Sequence, residues 1–506
     1  MLQQFVSKFR NELGIALSII LVIFIFLYFT GTLVSGYHFA DDHEIIRIKD
    51  DLKSSSVLDV STKWILEDIN VTRRFRPVYY FQRVVETKIF GSDYFALSVY
   101  TGFLACIALI SFYLATRNMK FTTAESVIFL LIAFTGPQMA IWWRLGPSET
   151  IGLTFLGISF YFMSLTAAQT RKPLYEWLFV LFLILTSLCK ESFIISIPGI
   201  IFLKVCNEKI SGNLTWTYAL KKNSFMLLPF AVMLLETGYI VMHVGTISSN
   251  EGGLPGIIKG VFNNLIILVK TYPFLGLTGL LLLGFNLYKK NRFFKLKWIP
   301  VVFALMILIP NLVLYANSGF YERYLLPSTI GFGLVTASII SGFENNFVKF
   351  KRIAYVTFVL SVTPLLVRSY TDARSFSKEG LLFKNLVSSI TNNYKNGDHV
   401  LVAVDPVDFY EQSYSLKKYL LLEKNIILYG FPVTKTLNDK TSESLLEGWK
   451  RYFNDSQLDK ISSTPDLIVF LDKNLMKTFF NLSGLTQGEY ISIMDEGSSF
   501  ALLKHK

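Results

Sequence analysis

The sequence is poor in charge, in cysteine and in motifs that bind nucleotides or metals. Only 17% of its 506 residues are Asp, Glu, Lys or Arg, against about a quarter in an ordinary soluble domain. Such a chain is short of material for a water-facing surface, so lipid is the expected solvent for much of it. The cysteines, Cys106, Cys189 and Cys206, lie in or beside apolar runs, and none has a CxxC partner. Neither a disulfide framework nor a zinc site is indicated. There is no internal repeat, low-complexity tract or glycine-rich phosphate loop. The formal charge of +12 would suggest nucleic acid in a soluble protein. Here the lysines and arginines fall mostly in short loops between apolar runs, where they fix orientation. No nucleic-acid motif accompanies them, and no nucleic-acid partner is expected.

What the chain has in quantity is apolar surface: 52% of its residues are hydrophobic and 15% aromatic. Apolar runs of roughly 20 residues, enough to cross about 30 Å of hydrocarbon, recur along most of its length. The first run, 13–34, follows Lys8 and Arg10. It is too long for a signal-peptide core and has no small-x-small cleavage site, so it reads as an uncleaved helix with a cytoplasmic N-terminus. Further spans are expected at 94–115, 122–143, 150–168, 225–244, 257–288, 298–316, 324–343 and 353–367. The run 174–205 is interrupted at Cys189-Lys190-Glu191-Ser192 and reads as two short spans meeting at an outer turn. The total is about eleven spans, with positive blocks such as 289–297 at alternate loops, as the positive-inside rule requires. The fold class is therefore a polytopic α-helical membrane protein of the cell (inner or plasma) membrane.

From about residue 369 the composition changes. The runs 398–404 (DHVLVAV) and 466–471 (DLIVFL) look like buried strands, and 411–422 and 442–453 show helical spacing of apolar residues. The expected organisation is a transmembrane module over 1–368, with its first outer loop at 36–93, and an extracytoplasmic α/β domain over 369–506.

The chemistry-bearing residues cluster in loops on the outer side. Asp41 and Asp42 follow the first span directly. A carboxylate there can serve as a general base toward an acceptor hydroxyl, its neighbour orienting the acceptor or raising its pKa. The pair also suits an N-cap for the segment beginning at His43. His43 and Glu44 are within reach of the same place, and Ile45, Ile46, Ile48 and Leu52 make an interfacial apolar stripe. Arg73, Arg74 and Arg76 form a second group. Guanidinium matches phosphate bidentately, although contact with anionic lipid head groups would explain the cluster equally well. Pro77 after Arg76 suits the first position of a helix. Arg144, the Lys190-Glu191 pair inside an apolar run, and Tyr321-Glu322-Arg323-Tyr324 complete the set. Ionisable residues at membrane depth are costly and tend to be functional. The expected topology brings all of these out on one face.

Three stretches carry a resemblance. FADDHEII after the first span, then RFRPVYYFQRVVETKIFG leading into the second, resembles the polytopic GT-C glycosyltransferases that use polyprenyl-phosphate sugars. Protein O-mannosyltransferases and the lipid A aminoarabinose transferase belong to that broad group. Glu322-Arg323-Tyr324-Leu325-Leu326-Pro327 is similar to the ERYLLP signature late in many of those modules. The likeness covers about residues 1–345. It implies an inverting transfer of sugar from a polyprenyl-phosphate donor, entering laterally from the bilayer, to an extracytoplasmic glycan, lipid or protein. Asp41 or Asp42 would be the base. Arg76 and Arg323, with Lys190 and Arg74, would hold the donor phosphate, where cations stabilise the leaving group. His43, Glu44, Glu191, Arg144, Glu322 and Tyr321 would support the substrates. Some relatives need a divalent cation such as Mg2+ or Mn2+. Asp41, Asp42 and Glu44 offer oxygen ligands, but three acidic residues do not make a site. The rival readings are a flippase or transporter of lipid-linked sugars, an O-antigen-type polymerase or ligase, and a structural or receptor role. A transporter would show internal symmetry and broken midplane helices.

Overall fold

The computed structural model describes residues 2–40, 42–166, 172–244, 253–288, 297–316, 322–343, 348–433, 440–453, 464–494 and 499–506. The described residues are mostly helical, with a small sheet near the C-terminus. Among the described residues five helices are long and apolar enough to cross a membrane, or six if the bent pair 255–271 and 273–288 counts as one span. The protein is a multi-pass membrane protein. It divides into two compact units.

The first unit comprises Met1–Phe29, Ser61–Arg83 and Val99–Ala373. Its helices are more broken than hydropathy suggests. The span expected at 122–143 is a helix only over Thr123–Phe134, followed by a short 3-10 segment, Pro137–Trp142. Gly136, at φ +117°, and Pro137 account for the break: one adopts a backbone that other residues avoid, and the other has no N–H to continue the helix. The run 257–288 likewise splits at Pro273 into Gly253–Thr271 and Pro273–Tyr288. The interrupted run is Pro173–Ser187, a single turn Glu191–Ile194, and Ile197–Ser211.

Small residues let these helices approach closely, as packing in lipid requires. A Cβ added to Gly331, on Leu326–Ser341, would stand 2.7 Å from the Cα of Ala304 on Trp298–Leu314. One added to Gly157 would meet the Ala108 carbonyl oxygen at 2.9 Å. Between these contacts lie apolar clusters such as Ile128, Ile132, Ile340, Phe358 and Val362.

The second unit comprises Thr30–Val60, Val84–Ser98 and Arg374–Lys506. Among the described residues it holds five strands: β1 (Val400–Val404), β2 (Leu428–Pro432), β3 (Leu467–Phe470), β4 (Tyr490–Ser492) and β5 (Ala501–His505). Their order is β2-β1-β3-β5-β4, with β2, β1 and β3 parallel and the last two pairings antiparallel. Every residue of β1 and β3 is buried, which is why both read as unbroken β-branched runs rather than as alternating ones. Tyr410–Lys424 is the crossover from β1 to β2, and Lys440–Phe453 lies between β2 and β3.

The segment after the first span packs within this same unit. Phe39 meets the rings of Phe383 and Tyr419, and Lys49 pairs with Glu423 at 2.7 Å. The span expected at 353–367 is part of a 46-residue helix, Val348–Asn393. Hydropathy marks where lipid ends, but nothing after Val367 stops the helix, so it continues in polar residues.

Candidate active site

Arg76 begins the cluster in the first unit. Its Nε and one terminal nitrogen donate to both oxygens of Asp68, at 3.0 and 2.7 Å, and the same terminal nitrogen reaches the Tyr80 hydroxyl at 3.2 Å. The guanidinium lies 5.3 and 5.4 Å from the ring centres of Tyr79 and Tyr80. Burial works against its charge, but the Asp68 bond and the carboxylates around it outweigh burial and hold its pKa above the ordinary value.

Pro77 opens the helix Pro77–Phe90, as its fixed φ and missing donor favour. The first-turn N–H of Val78, which has no partner within its own helix, donates to the Leu188 carbonyl at 3.1 Å. That carbonyl, just past the helix Pro173–Ser187, is one of the unfilled acceptors of a helix end. The Tyr79 hydroxyl donates to the Gly146 carbonyl at 2.6 Å. One helix turn thus ties Arg76 to the loops that carry Glu149 and Lys190.

Lys190 has an extended backbone just before the turn Glu191–Ile194. Its ammonium donates to Glu149 Oε1, and both side chains are buried. The same ammonium lies 4.6 Å from the ring centre of Tyr324, which stacks on Tyr315 at 4.3 Å. Arg323 flanks that ring at 5.5 Å and acts electrostatically on both Glu149 and Lys190. Glu191 acts on Arg76, Lys190 and Tyr315.

Arg76, Lys190 and Arg323 are therefore gathered with Asp68, Glu149 and Glu191: three cations and three carboxylates. Chemically, this holds cationic groups in fixed directions among aromatic faces, away from competing water. Of the residues expected to act, Arg76, Lys190, Glu191 and Arg323 come together here. Arg74 is half-buried beyond Arg73, which is exposed at φ +55°, and its N–H donates to the Asp68 carbonyl. Arg144 is exposed.

Asp42 belongs to the second unit. It is buried and precedes the helix His43–Asp51, yet its side chain makes no cap bond. Instead Oδ2 accepts the backbone N–H of His38 at 2.7 Å and lies 3.9 Å from His38 Nδ1. The His38 ring stacks on Phe376, and its Nε2 is 2.6 Å from the Phe376 carbonyl oxygen. Glu44 is half-buried in the first turn of the same helix. Asp41 and Tyr321 lie outside the described residues, as do the side chains of His43 and Glu322. Among the described residues no three His, Cys, Asp or Glu side chains converge as metal ligands.

The sequence reading singles out Glu149 and Tyr324 as outer-face residues without giving them a role at the site, and it gives none to Asp68 or Tyr315. Each is a partner of a residue that it did place. The available signal is that a lysine inside an apolar run needs a carboxylate, and Glu149 heads the helix Glu149–Thr166, two helices before Lys190.

No protein-family model matches the chain, and no curated protein does. Among solved structures it resembles ArnT from Cupriavidus metallidurans, in a crystal structure bound to undecaprenyl phosphate. The TM-score is 0.52 at 10% identity, over 97% of this chain and 98% of that one. The chain shares the ArnT fold. The same ArnT in its apo state scores 0.49, at 10% identity over 96% of this chain and 97% of that one. The archaeal oligosaccharyltransferase AglB from Archaeoglobus fulgidus, in complex with an inhibitory peptide and a dolichol-phosphate, scores 0.44. Its identity is 11%, over 97% of this chain and 74% of that one. The likeness to the lipid-bound ArnT structure, at a TM-score of 0.52, agrees with the expected fold.

Proposed function

We propose that this protein is a membrane glycosyltransferase that moves a sugar from a polyprenyl-phosphate donor to an extracytoplasmic glycan, lipid or protein. The observation that carries the reading is the gathering of buried Arg76 and Lys190 with half-buried Arg323 among tyrosine rings. It occurs in a chain that shares its fold with a protein crystallised on undecaprenyl phosphate. In this reading about eleven spans leave the N-terminus in the cytoplasm. Residues 369–506 are then an extracytoplasmic domain, and 1–368 the catalytic module.

The donor phosphate binds where these cations can re-pair with it. Glu149 and Asp68 hold Lys190 and Arg76 in position until it arrives. Binding therefore exchanges one set of charge-assisted bonds for another. Arg74, Glu191 and Arg144 support the donor from the same loops. In the transfer, the bond between the anomeric carbon and the phosphate oxygen breaks as the acceptor oxygen bonds to that carbon from the opposite face. The acceptor's proton passes to a carboxylate, and the departing phosphate keeps the electron pair. The cations stabilise the charge that develops on it. Asp41 is the base, because one oxygen of Asp42 is already engaged by the His38 N–H, which sets the shape of the loop.

The test is sugar transfer by the purified protein in nanodiscs, with a panel of polyprenyl-phosphate sugars as donors and membrane extract as acceptor. Asp41→Asn is expected to lose at least about a hundredfold in rate, as for removal of a general base. Lys190→Ala and Arg323→Ala are expected to weaken use of the donor. Full activity in Asp41→Asn would remove the first loop from the chemistry. A wild-type protein that carries lipid-linked sugar across the bilayer without transferring it would be a transporter instead.

A further inference from the structure

Among the described residues of the first unit four glutamates are buried, and three of them are matched. Glu125 has Lys351 and closes a capping box with Thr122. Glu149 has Lys190. Glu208 has Lys204, Lys222 and Asn223. The fourth, Glu236, has no such partner. It is 5% exposed, and among the described residues neither of its oxygens accepts a hydrogen bond.

Its position is not accidental exposure turned inward. The helix Leu227–Tyr239 is apolar and lies in a span, Ser224–Met242, that is largely open to its surroundings. Pro229, Met233, Glu236 and Ile240 recur at helical spacing and form its more buried stripe. An apolar side chain would be the stable choice at each of these places, since a buried carboxyl without partners costs free energy. The carboxyl lies beside Ser187 and Cys189. The nearby Ser187 hydroxyl does not satisfy it, donating instead to the Ile184 carbonyl at 2.8 Å. Cys189 immediately precedes Lys190. The unmatched carboxyl therefore stands at the helix break that also presents the phosphate-binding cation of the proposed site.

We infer that Glu236 is a binding carboxyl for hydroxyl groups of the sugar on the lipid-linked donor. Sugar hydroxyls are the donors that a carboxyl with two idle oxygens can accept from, and the sugar is covalently next to the phosphate that Lys190 would hold. Glu236 then discriminates between a loaded and an unloaded carrier lipid. This inference rests on the function proposed above.

The test measures binding of bare undecaprenyl phosphate and of undecaprenyl-phosphate hexose to the protein in nanodiscs, for wild type, Glu236→Gln and Glu236→Leu. Both variants are expected to bind the bare lipid as wild type does. Glu236→Leu is expected to bind the sugar-bearing lipid about ten- to a hundredfold more weakly, the worth of a hydrogen bond to a charged group. It is also expected to melt higher than wild type without ligand, because the unmatched carboxyl is gone. Equal loss of both lipids, or a lower melting temperature, would make Glu236 a structural residue and overturn the inference. So would unchanged binding of the sugar-bearing lipid in both variants. Failure of wild type to bind either lipid would instead overturn the proposed function.

Discussion

The Lys190–Glu149 pair allows the sharpest physical test. Removing Lys190 leaves a carboxylate that is 3% exposed with its principal cation gone. Breaking a buried pair from one side costs about 3–5 kcal/mol. Loss of the ammonium from the Tyr324 face adds about 0.5–2 kcal/mol. Lys190→Ala should therefore destabilise the fold by roughly 3–7 kcal/mol, with Arg323 as the remaining cation near Glu149 limiting the damage. Replacing both partners with apolar side chains, Lys190→Met with Glu149→Leu, removes the uncompensated charge. The result should be near neutral, or stabilising by about 1–4 kcal/mol. The assay is a double-mutant cycle by chemical unfolding in mixed micelles at fixed lipid content. A coupling energy below about 0.5 kcal/mol, meaning simple additivity of the two single changes, would refute the reasoning.

Two further outcomes follow from close contacts. Gly380→Ala would push a Cβ to 2.7 Å from His38 Nε2 and 2.8 Å from its Cε1, between groups held by the Phe376 stack. It should destabilise the second unit by about 1–3 kcal/mol, read as earlier exposure of sites in 374–506 to limited proteolysis. Protection equal to wild type would count against the contact. Trp449→Phe keeps the stack on Phe453 but loses the indole N–H bond to Ser413 Oγ at 2.8 Å. A loss of about 1 kcal/mol is expected by denaturation, with the hydroxyl left short of a donor, and no loss would show that water replaces it.

What the sequence displays directly is composition over a window. Apolar length separates the spans from the C-terminal segment, and β1 and β3 stand out as DHVLVAV and DLIVFL because they are buried on both faces. The break at Lys190 was visible for the same reason, as charge inside an apolar run. Pairing is what a window does not contain. Glu149 and Lys190 are 41 positions apart, and Tyr315 meets Tyr324 only when two segments fold together. Asp42 illustrates another limit. An aspartate just before a helix reads as a cap, but the His38 N–H outcompetes the helix N-terminus for its carboxylate. Helix ends were read least accurately where Gly136-Pro137 and Pro273 break an apolar stretch and where Val348–Asn393 outlasts one.

The neutrality of the Glu149–Lys190 pair bears on how the chain enters the bilayer. These residues bracket one helical hairpin, Glu149–Thr166 followed by Pro173–Ser187. A lone lysine or acidic residue carried into hydrocarbon during insertion costs about 2.5–3.5 kcal/mol. Two successive helices inserted separately would each meet that barrier. If the hairpin closes first, its two charges cross as one dipole and much of the barrier is removed. Biogenesis and the candidate site then draw on the same contact, so a substitution at either residue is expected to lower the number of molecules made, read as the amount of folded protein in the membrane fraction.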